Sequence, residues 1–239
     1  MCTVSIISTG EPGFRLVTNR DVERARPAGI APAWRSVAGG RAVWPTDAQA
    51  GGTWVGATDR GLVLCLLNKN MEPAPDLSGL GALTSRGTII PGLVGEPDAA
   101  GAMTRLASME LSTFAPFRLL ACDMDGDVAR VLEADWDRRS LTRRDHVAPT
   151  CFVSSGLGDS KVRVRLPLFD RSVREYGPDA QDAFHHHVWP DRPELSVLMS
   201  RGDARTVSIT TVEVGLSGGR PRVAMSYEPV GVGASLAPT

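Results

Sequence analysis

The stretch CTVSIISTGEPGFRLVTNRD, residues 2–21, sets the interpretation of the whole chain. Residues 3–9 and 14–18 are rich in β-branched and apolar side chains, and the turn-forming run Gly-Glu-Pro-Gly separates them. This pattern predicts an antiparallel hairpin. Cys2 heads its first strand, so we expect the partner strand to bring Arg20 close to Cys2.

Further strands and helices follow along the chain. Three more pairs of strand-like segments flank turn signals, namely 53–58 with 61–68, 117–122 with 128–134, and 205–214 with 221–227. Helical patterns are sparser, at 97–109, 161–175 and 179–186. Successive hairpins with a few helices indicate an α+β fold, in which helices cover antiparallel sheets.

Composition excludes several classes of protein. The 239 residues are 42% hydrophobic, with a formal net charge of -1 and no long run of one sign, which argues against nucleic-acid binding. No segment approaches the roughly 20 apolar residues of a membrane span, and the start of the chain lacks a secretory signal pattern. We therefore expect a cytoplasmic protein with a single domain over 1–230 and a flexible tail at 231–239.

The cysteines indicate neither a disulfide framework nor a zinc site. They are widely spaced, without a C-x-x-C motif or histidines at zinc-finger spacing. Three of them lie in apolar runs and are interpreted as small buried hydrophobic residues: Cys65, Cys122 and Cys151. We expect no metal and no cofactor.

Cys2 differs because of its place behind Met1. A residue as small as cysteine normally allows removal of the initiator methionine, which would give Cys2 a free α-amine. The pKa of an α-amine is about 7.7 to 8.0, and that of a thiol about 8.5, so one residue would hold both nucleophile and base. This is the N-terminal variant of the catalytic triad.

Neighbouring residue types suit the same chemistry. Arg20 would favour the thiolate, Asp21 could hold or orient the amine, and Asn68, at a strand end, could donate an amide N–H to an oxyanion. Each also has an ordinary explanation, because Asp and Asn are common in turns and caps. Cys2 itself is equally compatible with a plain strand position.

Five motifs together resemble the NRDE family, that of the transport and Golgi organisation 2 protein. In order they are Met-Cys-Thr at the start, Thr-Asn-Arg-Asp at 18–21, Gly-Gly-Thr-Trp at 51–54, Leu-Leu-Asn at 66–68 and Ser-Arg-Gly at 85–87. The resemblance implies an N-terminal-nucleophile hydrolase-like fold of four layers, α-β-β-α. Conjugated bile acid hydrolases and penicillin V acylases have a similar fold.

The resemblance also implies site residues. Cys2 corresponds to the nucleophile, Asp21 to the conserved carboxylate and Asn68 to an oxyanion-hole asparagine. Arg20 matches the family motif, although the arginine of the acylases lies earlier. By the same comparison Ser155 stands where the acylases have a second asparagine, and Arg205 is matched to their late arginine.

Two further residues are candidates for substrate binding, Asn19 in the Asn-Arg-Asp run and Trp54. A tryptophan beside small residues in a strand is also typical of core packing. Val22 departs from the family motif, which has glutamate at this position.

Two other clusters are interpreted as structural. Adjacent histidines point in different directions, so His185, His186 and His187 make a poor chelate and are expected in a solvated or loop-capping role. The acidic run at 123–127 lacks the rest of a calcium loop and is typical of a hairpin turn.

The leading hypothesis is an N-terminal cysteine hydrolase that cleaves a carbon–nitrogen bond in a small amide. The alternative is a non-catalytic protein of the same fold that binds or carries a ligand such as haem or a lipid or acyl group. A third interpretation makes Cys2 an ordinary strand residue. The first two imply a small-molecule partner.

Overall fold

A computed structural model describes residues 2–76, 81–173 and 177–231. Within these ranges the strands form two antiparallel sheets. The five-stranded sheet has the order β10-β1-β2-β11-β12, with β1 Cys2–Ser8, β2 Gly13–Glu23, β10 Thr150–Ser154, β11 Ala204–Ser217 and β12 Arg220–Pro229. The seven-stranded sheet runs from β3 to β9, with β3 Ile30–Val37, β4 Gly40–Thr46, β5 Val55–Thr58, β6 Val63–Asn68, β7 Phe117–Asp125, β8 Val128–Trp136 and β9 Leu141–Val147.

The two sheets pack face to face around an apolar core. Val4, Ile6 and Leu16 from one sheet lie in the same buried cluster as Leu67 and Leu120 from the other. Since side chains alternate along a strand, every second residue of β1 and β2 points into this layer. Burial of these side chains is what holds the sheets together.

Helices cover the outer faces of both sheets. Helix α1, Ala99–Ala107, packs on β7 and β8, while α2, Arg165–Ser172, and α3, Gly177–His185, pack on the strands of the other sheet. The predicted α+β fold with four layers, α-β-β-α, is confirmed. None of the helices in the described ranges is both long and apolar enough to span a membrane.

All four predicted strand pairs are present, but four strands were not predicted: β3, β4, β9 and β10. β9 reads LTRRDHV and lies at the edge of its sheet. Charged residues are common on edge strands, where they discourage pairing with other chains, and they remove the alternating apolar signal. β10 was also missed, because its five residues pair with the distant strand β1 and not with a sequence neighbour.

The helix predictions hold with shifted ends. α1 lies inside 97–109, and the Asp98 carboxylate caps it by accepting a hydrogen bond from the Gly101 amide at 2.7 Å. The predicted helix 161–175 is only partly α-helical, because residues 159–164 form a 3₁₀ helix and α2 starts at Arg165. Pro167 is tolerated in the first turn of α2, where amide groups have no partner within the helix.

The third predicted helix, 179–186, corresponds to α3, which begins two residues earlier and ends one residue earlier. Residues 174 and 175 of the second predicted helix lie outside the described residues, as do residues 232–239 of the predicted tail.

Candidate active site

Cys2 lies at one end of β1, between two neighbouring strands. It pairs with Arg20 on β2 and with Ser154 on β10. Only 5% of its surface is exposed, and it lines a cavity of about 350 Å³. Because residues directly opposite each other in a sheet share a face, Arg20 and Val22 line the same cavity. The predicted approach of Arg20 to Cys2 is confirmed.

Other walls of the cavity come from the second sheet and the loops around it. Asn68 is the last residue of β6, and Trp54 immediately precedes β5. Trp54 belongs to the core between the sheets as well as to the cavity wall. Core packing is thus confirmed for Trp54, and its role in substrate binding stays a prediction. The structure thus brings four of the predicted site residues into one cavity: Cys2, Arg20, Trp54 and Asn68.

Arg20 is held from two sides. Its guanidinium lies over the Trp54 ring, 4.1 Å from the centroid, and its Nη2 donates to Asp47 Oδ2. Its Nη1 is buried and has no partner within the described ranges. Burial lowers the pKa of Arg20, although Asp47 opposes that effect. Arg20 is therefore a fixed and incompletely paired cation beside Cys2.

Asp47 binds Arg20 in the cavity wall and was not predicted as a site residue. Its Oδ2 also accepts from Arg26 Nε at 2.8 Å, and its Oδ1 accepts the amide N–H groups of Gln49 and Ala50 at 3.0 and 2.8 Å. Burial alone would raise the pKa of this carboxyl, but these hydrogen bonds and the two arginines outweigh it and lower the pKa. Asp47 is therefore an ionised anchor.

Asp21 lies on the opposite face of β2, behind Cys2. Its carboxylate is buried and accepts a hydrogen bond from Thr206 Oγ1 at 2.6 Å. Burial raises the pKa of Asp21, while the charge of Arg165 and the Thr206 hydrogen bond act to lower it. Asp21 is thus a carboxyl group screened from water, on the strand that pairs with the strand of Cys2.

Arg165 supplies the opposing charge and was missed by sequence reasoning. It is the first residue of α2, 1% exposed, and donates from Nε to Leu195 O at 2.9 Å and from Nη1 to Thr3 Oγ1 at 2.7 Å. Burial lowers its pKa, and Asp21 opposes this. A buried arginine in a helix leaves no local sequence signal, since its partners are distant in the chain.

The thiol of Cys2 has a raised pKa in this setting. Burial is the main cause, and the Asp21 carboxylate adds to it. The Arg20 charge and a hydrogen bond from the Asp21 backbone act in the other direction without reversing the shift. At neutral pH the buried thiol is therefore protonated, and its activation needs a base close to it.

The structure does not bring Ser155 or Arg205 to the cavity. The amide of Ser155 donates to Asp159 Oδ1 at 3.0 Å, and its Oγ accepts from the Leu157 amide at 3.2 Å, so Ser155 shapes the turn after β10. Arg205 pairs with Val22 in the sheet, and neither Arg205 nor Ser155 is among the described residues that line the cavity.

The neighbour of Ser155 approaches the site instead. Ser154, opposite Cys2, donates from Oγ to the Asn68 carbonyl oxygen at 2.5 Å and accepts from Asn70 Nδ2 at 3.0 Å. These contacts tie the end of β6 to β10 and so fix the position of Asn68 relative to Cys2.

Asn19 also points away from the cavity, and it explains the histidine cluster. Its Nδ2 donates to the carbonyl oxygens of His185 and Val197 at 2.9 and 3.0 Å, and its Oδ1 is hydrogen-bonded to His185 Nδ1. His185 Nε2 lies 2.6 Å from Ser5 Oγ. The expectation of a solvated role is wrong for His185, because α3 packs its last turn onto β1 and β2 and buries the ring completely. The ring of His186 remains partly exposed and lies 3.1 Å from Glu228.

The hairpin predicted around residues 123–127 is present, but its turn is limited to residues 126–127, and residues 123–125 are the last residues of β7. Asp123 is held by Arg130 at 2.7 and 2.9 Å and accepts the Ala99 amide at the start of α1 at 2.7 Å. The turn itself contains Gly126, with a φ of 62° that favours glycine.

Two of the sequence motifs meet beside the cavity. Thr53 N donates to Gly87 O at 3.0 Å, and the backbones of Gly52 and Gly87 are in direct contact. This contact places Arg86 in the cavity wall, where its Nη1 also donates to Pro116 O at 2.8 Å. Arg86 is the central residue of the Ser-Arg-Gly motif, which is visible in the sequence, but the sequence analysis assigned it no role.

The fold is similar to that of three solved amidase structures. An N-acylethanolamine-hydrolyzing acid amidase ortholog from Caenorhabditis elegans has a TM-score of 0.59 at 12% identity, covering 88% of this chain and 92% of that one. A mutant conjugated bile acid hydrolase from Clostridium perfringens has 0.55 at 11%, covering 95% and 92%. Penicillin V acylase from Agrobacterium tumefaciens has 0.52 at 12%, covering 94% and 85%. These likenesses show the N-terminal-nucleophile hydrolase-like fold.

Family membership rests on a separate comparison of sequence. No curated protein has a significant match to the chain. The model of the family described as Transport and Golgi organisation 2, however, matches residues 1–188, which is more than three quarters of the chain. The chain belongs to the Transport and Golgi organisation 2 family.

Proposed function

We propose that this protein is an N-terminal cysteine amidohydrolase that cleaves a carbon–nitrogen bond in a small amide. The observation that carries the proposal is the placement of Cys2 at a strand end, facing a cavity that also holds Arg20 and Asn68, with the Asp21 carboxylate buried behind it. The three amidases of similar fold act on amides, which supports the same reaction class here.

The proposed reaction begins with loss of Met1, which leaves Cys2 with a free α-amine. This amine takes the thiol proton, and the thiolate sulfur attacks the amide carbonyl carbon. The α-ammonium then protonates the nitrogen, the C–N bond breaks and an amine departs, leaving an acyl thioester on Cys2. Water, deprotonated by the α-amine, attacks the thioester, and a carboxylic acid and the thiol are released.

The surrounding side chains have separate tasks in this scheme. The Asn68 side-chain amide donates to the oxyanion that forms during each attack. Asp21 stabilises the α-ammonium, and the charge of Arg165 favours the ionised form of Asp21 against the effect of burial. Because burial raises the pKa of the thiol, a base belonging to the same residue is the shortest route to the thiolate.

Non-catalytic ligand binding is the second candidate, and Val22 favours it. This apolar side chain lines the cavity at the position where the family motif has a carboxylate. Haem titration separates the two candidates. An absorbance change that saturates near one equivalent and is lost in Cys2→Ala would support binding, whereas non-saturable adsorption would count against it.

The decisive experiment compares two matched preparations, one that begins at Cys2 and one that keeps an additional residue ahead of it. Intact mass is measured before and after treatment with an amide-directed electrophile. We expect one adduct, on Cys2, in the first preparation only, with Cys2→Ala unlabelled. Retention of Met1 in the natural protein, or absence of label on Cys2, would refute the proposal.

A further inference from the structure

The cavity beside Cys2 has an excess of positive charge. Among the described residues that line it, the ionisable side chains other than Cys2 are Arg20, Arg26, Arg86 and Asp47. Three guanidinium groups against one carboxylate leave a net charge of +2 at neutral pH. A pocket of about 350 Å³ with this charge is suited to an anionic ligand.

The Asp47 carboxylate does not accept hydrogen bonds from all the guanidinium donors of these arginines. Both oxygens of Asp47 are already engaged, by Arg20 and Arg26 on one side and by two backbone amides on the other. Arg86 has a hydrogen bond to Pro116 O as its one hydrogen bond within the described ranges. Its remaining guanidinium N–H groups are therefore not matched by any acidic side chain within residues 2–76, 81–173 and 177–231.

Arg20 provides more specific evidence for an anionic ligand. The residue is 4% exposed, and its Nη1 is a buried donor with no partner within the described part of the chain. A buried donor without an acceptor is unfavourable by comparison with a satisfied one. A ligand carboxylate that accepts from Nη1 would remove this deficit, and it would do so next to the nucleophile.

From this geometry we infer that the site takes amides that carry a carboxylate close to the scissile bond, which Arg20 and Arg86 bind through charge-assisted hydrogen bonds. The inference rests on the proposed function, since it assigns the substrate class of the same site. Charge-assisted pairs with arginine are the strong class of hydrogen bond, and the planar guanidinium matches a carboxylate.

A neighbouring cavity indicates the other end of the substrate. It has a volume of about 480 Å³ and shares Arg86 and Ala115 with the first cavity. Several of its walls are apolar: Met71, Pro73, Pro75, Pro116 and Leu157. An amide with a carboxylate at one end and a short apolar chain at the other would occupy both cavities, with Arg86 at their junction.

The test separates binding from turnover. Cys2→Ala is titrated calorimetrically with N-hexanoylglycine, with N-butylsuccinamic acid and with neutral N-hexanoylethanolamine. The first two probes place the carboxylate on the amine side and on the acyl side of the amide. We expect at least one of them to bind about tenfold or more tightly than the neutral probe. Equal affinity for all three, or no binding of any, would overturn the inference.

Variants then assign the preference to Arg86. Arg86→Gln, made in the Cys2→Ala background, should reduce the preference to near equality, Arg86→Lys should retain part of it, and the exposed Arg105→Gln should leave it unchanged. If Arg86→Gln does not fold, salt gives a second measure. Anion affinity should fall between about 50 and 500 mM NaCl, and neutral-probe affinity should not; a preference that salt leaves unchanged would refute the role of charge.

Turnover by the preparation that begins at Cys2 distinguishes the two failures. Tight binding of an anionic amide without hydrolysis would refute the proposed function and leave the substrate inference intact. Hydrolysis of neutral and anionic amides at equal kcat/KM would support the proposed function and refute the inference that the substrate is anionic.

Discussion

The backbone of Gly52 lies directly against that of Gly87, so that a Cβ at position 52 would be 2.7 Å from the Cα and the carbonyl of Gly87. Contacts this short leave room only for glycine. The two residues are far apart in sequence, and the contact between them holds Arg86 in the wall of the Cys2 cavity.

Gly52→Ala should therefore destabilise the protein and displace Arg86. The added methyl group meets backbone, which cannot move aside as a flexible side chain would, and we expect a loss of about 1–3 kcal/mol in the free energy of unfolding. Urea denaturation measures this. The control is Gly10→Ala, where a Cβ would meet nothing within 4 Å and the change should stay within about 0.5 kcal/mol. Equal stability of the two variants would contradict the close contact.

Asn68→Ala tests the oxyanion role. If the side-chain amide stabilises the oxyanion, kcat on an amide substrate should fall about 10²–10³-fold while KM changes little. Thr104→Ala, on the exposed face of α1, is the control and should keep the wild-type rate. Thermal unfolding of both variants verifies that they fold. A kcat within a few-fold of wild type in a folded Asn68→Ala protein would remove Asn68 from the mechanism.

Arg165→Met tests the charge that opposes the buried Asp21 carboxyl group. It leaves the buried Asp21 carboxylate without its opposing charge, which should lower the free energy of unfolding by about 3–5 kcal/mol at neutral pH. The exposed Arg163→Ala serves as the control and should have little effect.

The pH dependence of stability provides a second test of the Arg165→Met variant. The folded-state pKa of Asp21 is already raised, so its folded form binds more protons than the unfolded chain and stability falls as pH rises through that range. Loss of Arg165 raises the pKa further and widens the range. The destabilisation measured by urea denaturation should therefore be smaller at acidic pH than at pH 7.5, and an equal loss at both would argue against coupling to Asp21.

His185 should make the fold sensitive to mild acid. Burial lowers its pKa well below the usual 6.5, with Arg15, His186 and Arg165 adding to the effect, so the folded protein keeps the ring neutral. The unfolded chain binds the proton first, and stability should fall as pH drops below about 6.5, by about 1.4 kcal/mol per pH unit. Denaturation at several pH values should show a shallower loss in His185→Gln.

His186 supplies the contrasting control. Burial would lower its pKa, but hydrogen bonds to Asp182 O and Glu228 outweigh this and raise it. Protonation of His186 is therefore favoured in the folded state, so His186→Gln should steepen the acid loss. Identical pH profiles for wild type and His185→Gln would show that His185 does not govern this behaviour.

The sequence allowed the strands to be predicted wherever burial and turn chemistry are local. Residues 2–21 carry their own hairpin signal, and the antiparallel register then follows, with Cys2 opposite Arg20. Strand β9 escaped prediction because an edge strand buries little and needs no apolar alternation. The motifs at 51–54 and 85–87 were visible in the sequence, but their contact was not.

By itself, then, the sequence determined the fold class, the hairpin that carries Cys2 and most of the residues near it. Only the tertiary structure decided which side chains share the cavity. In the tertiary structure Asn19 is hydrogen-bonded to His185, and Ser155 lies in the turn after β10. Arg86 and Asp47, in contrast, line the cavity. The physical reason is that the alternation of a strand fixes two faces but not what packs on each. The electrostatic interaction of Asp21 with Arg165 likewise depends on packing between elements far apart in the chain.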